Sequence, residues 1–71
     1  MWKKIDSTDA VIAIHPDDIV SQNPDDPSSE FKIQAIDSGY VSVVHPAGMI
    51  AMKFFPVNYL VYDKWWVKEV R

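Results

Sequence analysis

The groups in this chain that could do acid–base or metal chemistry are His15, His45 and a scatter of aspartates. Each histidine precedes a proline in a turn-like "HP" step. A metal site would need both to converge with a carboxylate such as Asp17, and nothing in their spacing brings them together. Asp17/Asp18 and Asp25/Asp26 are sequence neighbours, so the side chains of each pair point apart instead of sharing a proton. There is no cysteine to act as nucleophile, metal ligand or disulfide partner. Both glycines, Gly39 and Gly48, sit in turns, and neither a phosphate-cradling loop nor a Ser-His-Asp motif is present. The expectation is a protein with no catalytic residue, no metal and no cofactor, whose work is binding.

The elements that would position a binding surface are clearest in mid-chain. "EFKIQAI" alternates apolar and polar residues, and "DSG" supplies a three-residue hairpin loop with glycine at the left-handed position. That loop pairs Ile36 with Tyr40, Ala35 with Val41, Gln34 with Ser42 and Ile33 with Val43. Phe31, Ile33, Ala35, Val41 and Val43 then share a core face. A four-residue loop "HPAG" (45–48) would set Val41 against Met52, Val43 against Ile50 and Tyr40 against Lys53, keeping that lysine off the core. The pattern predicts a three-stranded antiparallel meander over about 31–55, with Phe54 in the core.

Before the meander, "AVIAI" (10–14) is an apolar run of strand length. "HPDDIVSQNP" offers Pro16 as a first helical residue with Asp17 and Asp18 at the positive end of the dipole. A short helix is expected there; the alternative is an irregular loop returning Ile19 and Val20 to the core. The acidic Pro/Ser stretch 21–30 reads as a solvated loop. After the meander, Pro56 ends a strand, "VNYL" fits one helical turn, and a last strand runs from about Trp65 to Val70. There Trp65 and Trp66 must point to opposite sides, and Trp66 is expected to be the more exposed.

Length and charge bound the partners. Seventy-one residues make one domain, 1–71, whose 48% hydrophobic content has to supply the whole core. No run reaches the ~18 apolar residues of a membrane span. The N-terminal "MWKKIDSTDA" has acids where a secretory signal would have its apolar core, so a cytoplasmic location is expected. Net charge is −3. Residues 1–30 hold seven acids against two lysines, or −5; residues 31–71 hold three acids against five bases, or +2. That balance disfavours a phosphate backbone as the main partner. It leaves Lys32, Lys53, Lys64, Lys68 and Arg71, with Tyr40 and a tryptophan, as a route to single-stranded nucleic acid.

The predicted order is strand, loop or short helix, three meandering strands, a helical turn and a final strand. This resembles the small SH3-like barrels, the architecture of SH3, KOW and Tudor-type domains. "FPVNYL" resembles the proline-x-asparagine-tyrosine segment before the last SH3 strand. "DSGYVSVV" resembles the turn ending in an aromatic pair, and "HPDDIV" is similar to the glycine-aspartate-aliphatic step after the acidic loop. The resemblance implies a mainly-β, five-stranded SH3-like barrel with one or two short helical turns. It places Pro56 and Tyr59 in a ligand groove, Asn58 at its floor and Tyr40 where the groove tryptophan stands. "AVIAI" occupies the place of the alanine-leucine-tyrosine-aspartate-tyrosine segment, so one wall of a proline-peptide groove is missing.

The sequence therefore points to a non-enzymatic interaction module that docks on and modulates a protein partner. Free-standing barrels of this size resemble phage-type accessory or inhibitor proteins. Its expected contact residues are Ile36, Tyr40, Lys53, Tyr59 and Trp66, with Ile36, Tyr40 and Lys53 together on the outer face of the meander. The alternatives are an RNA- or single-strand-binding barrel and a structural subunit that self-associates as a homodimer.

Overall fold

A computed structural model of the chain describes residues 1–45 and 53–69. Six strands, β1 (Trp2–Lys4), β2 (Ile19–Ser21), β3 (Phe31–Asp37), β4 (Tyr40–Val44), β5 (Lys53–Pro56) and β6 (Trp66–Lys68), form one antiparallel sheet. Their order is β1-β6-β2-β3-β4-β5. Two short helices, α1 (Thr8–Ile12) and α2 (Tyr59–Tyr62), and a 3₁₀ turn (Pro27–Ser29) complete it. The expected mainly-β class holds. The five-stranded closed barrel does not: among the described residues there are six strands, and no ladder joins β1 to β5.

One face of the sheet, the inner face, carries Val20, Ile33, Val41, Val43 and Val67, all buried. Ile5, Ile14, Leu60 and Trp65 close over it from the connecting segments, with Ala10 and Val11 of α1 packed alongside.

The 10–14 run is helix and loop, not strand. Ser7 caps α1, its Oγ accepting the Ala10 N–H (3.3 Å), and Asp9 lies in the first turn. The next segment corrects the reading in the other direction, because Ile19–Ser21 is a strand and no helix follows Pro16. Asp17 takes a left-handed φ of 77° and donates its N–H to the Ile33 carbonyl (2.8 Å). Asp18 is fully buried and turns its Oδ2 back to the His15 N–H (3.0 Å). The aspartates thus make a side-chain-closed turn that feeds β2 directly into the sheet.

The acidic stretch folds on itself. Ser21 is buried, accepts the Asn23 N–H (3.0 Å) and lies 2.6 Å from the Ser29 hydroxyl. Ser29 in turn donates toward the Asn23 or Asp26 carbonyl (both 2.8 Å). With one proton per hydroxyl, Ser21 donates to Ser29 and Ser29 to the main chain.

The β3–β4 hairpin forms, but with a two-residue loop. Ser38 (φ 54°) and Gly39 (φ 81°) both lie in the left-handed region, as a type I′ turn requires. Asp37 therefore pairs with Tyr40, Ile36 with Val41 and Ala35 with Ser42. A bulge at Gln34 restores Ile33 opposite Val43. Because of that extra residue, Ile33 and Ile36 share the inner face, while Ala35, expected in the core, is exposed.

On β5 the register differs by an odd number. Val43 pairs with Lys53, Ser42 with Phe54, Val41 with Phe55 and Tyr40 with Pro56. Phe55, not Phe54, faces inward and packs on the core. The "HPAG" loop and its pairings to Ile50 and Met52 lie outside the described residues, apart from His45. The Val57 N–H donates to the Gly39 carbonyl (2.9 Å). Counting back in this register, Phe54 and Pro56 turn their main chains to the open edge, so the proline costs no ladder bond.

"VNYL" makes the expected helical turn. Lys64 (φ 57°) follows α2; its N–H reaches the Val61 carbonyl (3.3 Å) and the Trp65 N–H the Leu60 carbonyl (3.1 Å). This paired closure is a Schellman motif with lysine at the left-handed position. It drops Leu60 and Trp65 together into the core, after which β6 alternates Trp66 outward and Val67 inward.

Candidate functional site

Residues opposite one another on paired antiparallel strands share a face, so the register fixes where each candidate contact residue lies. Tyr40, Ser42 and Phe54 are on the outer face. The Tyr40 and Phe54 rings stack in parallel, centroids 5.0 Å apart and planes within 2°. Both remain open to solvent, Tyr40 at 44% and Phe54 at 68%. A stacked aromatic pair on a rigid sheet is a preorganised apolar platform, since its rings lose little rotamer freedom when a partner lands on them.

Ile36 and Lys53 do not join Tyr40. Each is opposite an inward residue, Val41 and Val43 respectively, so both stand on the inner side, corrected from the outer-face trio the sequence suggested. Lys53 tolerates this position because its stem reaches the rim, where its Nζ sits 4.8 Å over the Phe31 ring. Ile36 is part exposed at the end of its strand. Tyr59, half exposed, begins α2 and lies 6.4 Å from Phe55, whose other neighbour is the Trp65 ring at 5.6 Å. Tyr59 thus belongs to the edge of the inner aromatic array.

Trp66 is half-buried on the outer face, opposite Ser21 and Lys4. Two residues on, Lys68 holds its Nζ 5.2 Å over the Trp2 ring across the β1–β6 ladder. The outer face therefore has two aromatic regions: Tyr40–Phe54 at the β4–β5 end, and Trp2–Trp66 with Lys4 and Lys68 at the β1–β6 end. Lys32 stands between them, 3.7 Å from the Asp17 carboxylate. Phe54 is the exposed outer-face aromatic that sequence reasoning missed. It is outward because the β4–β5 register pairs it with Ser42, and no local pattern in the sequence distinguishes it from Phe55.

Asp26 accepts from the Ser28 hydroxyl (2.7 Å) and N–H (3.0 Å), and these two bonds, the hydroxyl's first, lower its pKa from the ordinary 3.8. It caps the 3₁₀ turn. Among the described residues no three of His, Asp and Glu come together as metal ligands. None of the described helices is long and apolar enough to cross a membrane. Comparison of the chain with protein-family models, with curated proteins and with solved structures finds no match. The site is accordingly read from its own geometry.

Proposed function

We propose that this chain is a non-enzymatic interaction module that docks on a protein partner through the outer face of β4–β5. The observation that carries it is the Tyr40–Phe54 stack, two large rings held parallel yet left in solvent. Ordinary surface burial would hide such rings, whereas interface centres are built from them. The helical turn between β5 and β6 is the feature that supports kinship with SH3-like modules within this proposal. The aromatic platform used here lies on the sheet's outer face and away from Tyr59.

A second reading is favoured by Lys4 and Lys68 beside Trp2 and Trp66. Cations interleaved with rings suit a single nucleic-acid strand. The test is an affinity capture from native lysate, with and without nuclease, using the wild type and a Tyr40→Ser/Phe54→Ser variant of unchanged circular dichroism. A protein retained after nuclease by the wild type and released by the variant supports docking at the platform. Retention unaffected by the variant rejects it. Loss of all captured material after nuclease moves the β1–β6 region and nucleic acid to first place.

A further inference from the structure

The two edges of the sheet are unequal. The Ile5 N–H donates to the Trp65 carbonyl (2.9 Å), and Lys3 is opposite Val67. By the alternation of an antiparallel ladder, Lys3 and Ile5 aim their main chains at β6, leaving Trp2 and Lys4 to aim theirs at the open edge. Two N–H and two C=O groups are therefore free to receive another strand. The described part of β5 presents only one outward N–H, that of Phe54, because Pro56 has none.

Below the β1 edge lies a cavity of about 130 Å³, with the room of a single aliphatic side chain. Ala10, Ala13, Ile14 and Val67 wall it, and Lys3 and Glu69 stand at it, joined by a 3.9 Å ion pair that is largely exposed. Asp18 also borders the cavity, its Oδ2 accepting the His15 N–H, which suits a neutral guest better than an anionic one. Lys4, which also borders the cavity, and, one strand in, Lys68 hold outer-face positions of the same edge.

We propose that β1 is a docking edge for an extended acidic peptide of a partner protein, bound by β-strand addition. Main-chain bonds form to Trp2 and Lys4. An inward aliphatic residue of the peptide enters the cavity, and the acids on either side of it point outward to Lys4 and Lys68. Charge selects the occupant. A second copy of β1 in antiparallel pairing would set lysines against lysines, while an acidic strand meets them as counter-ions. This edge is distinct from the Tyr40–Phe54 platform, so either site can fail its test without the other.

The probes are three capped heptapeptides of aspartate, asparagine or lysine alternating with valine and a central leucine. Each is titrated into the ¹⁵N-labelled chain at low salt. The expected result is that the aspartate peptide shifts the Trp2 and Lys4 amides and slows their hydrogen exchange about tenfold or more. The asparagine peptide binds about tenfold more weakly and the lysine peptide not at all. In the Lys3→Glu/Lys4→Glu variant, whose β3–β4 amides report that the fold is kept, the preference reverses to the lysine peptide. The proposal is overturned by equal responses to the three peptides, by shifts confined to Tyr40 and Phe54, or by no response at millimolar peptide. Concentration-dependent shifts at Trp2 and Lys4 without peptide would give the edge to a second copy and overturn it too.

Discussion

Adjacent phenylalanines make the most searching test of the β5 register. A fully buried phenylalanine removes roughly 150–250 Å² from water. Phe54 is 68% exposed, so about a third of that, roughly 50–80 Å², is covered. At about 25 cal/mol per Å² this is about 1–2 kcal/mol, and less once compaction of the unfolded chain is counted. Phe54→Ala should therefore cost about 1 kcal/mol. Phe55 packs on the core between Trp65 and Tyr59, and its truncation should cost about 3 kcal/mol, the lower end of the fully buried range. A domain of 71 residues has roughly 4–11 kcal/mol to lose, so Phe55→Ala should still fold, with its melting midpoint lowered on the order of 12–24 °C. Phe54→Ala should lower it by roughly 4–8 °C. Urea unfolding followed by tryptophan fluorescence reads both, because Phe55 lies against Trp65. If Phe54→Ala proves the more damaging, the register is wrong by one residue and the platform does not exist.

Lys64→Gly should stabilise by about 0.5–1 kcal/mol, since glycine adopts the left-handed closure of α2 without strain; a lower melting temperature would contradict the Schellman geometry. Ser21→Ala should cost about 1 kcal/mol by removing the bonds its buried hydroxyl makes to the Asn23 N–H and the Ser29 hydroxyl, with exchange accelerating first in residues 22–30. The depressed Asp26 pKa means its bonds to Ser28 contribute stability that is fully present above the ordinary carboxylate value of 3.8 and is lost as pH falls through the lower folded value. The Ser28 amide should titrate with a midpoint below 3.8, and Asp26→Asn should abolish that inflection. Val43→Asp should unfold the domain by burying a charge in the sheet core; a dispersed NMR spectrum would contradict its placement.

What the sequence disclosed was local. The β3–β4 hairpin, the helical turn at "VNYL" and the opposed tryptophans all rest on patterns a few residues long, and all three are present. The misread elements are those in which one local signal overrode another. The apolar run 10–14 suggested a strand, but the Ser7 cap with Asp9 behind it favours a helical turn that tucks Ala10 and Val11 under the sheet. Pro16-Asp17-Asp18 has a helix-start composition, yet Asp18 spends its carboxylate on the His15 N–H and releases Ile19 to the ladder. The bulge at Gln34 has no composition signal, and it decides whether Ala35 or Ile36 looks inward. The candidate site suffered most from this. Tyr40 was legible as an exposed aromatic, whereas its companion Phe54 could be told from Phe55 only with the pairing in hand.

Pro56 on the outer edge of β5 also limits stoichiometry. Growth of a continuous sheet through many molecules needs two receptive edges per molecule, one to join and one to be joined. Here the described β5 segment offers a single outward donor, that of Phe54, against the two of β1. Among the described residues the two edges are thus unequal acceptors of a strand, which favours ending a chain of molecules over extending it.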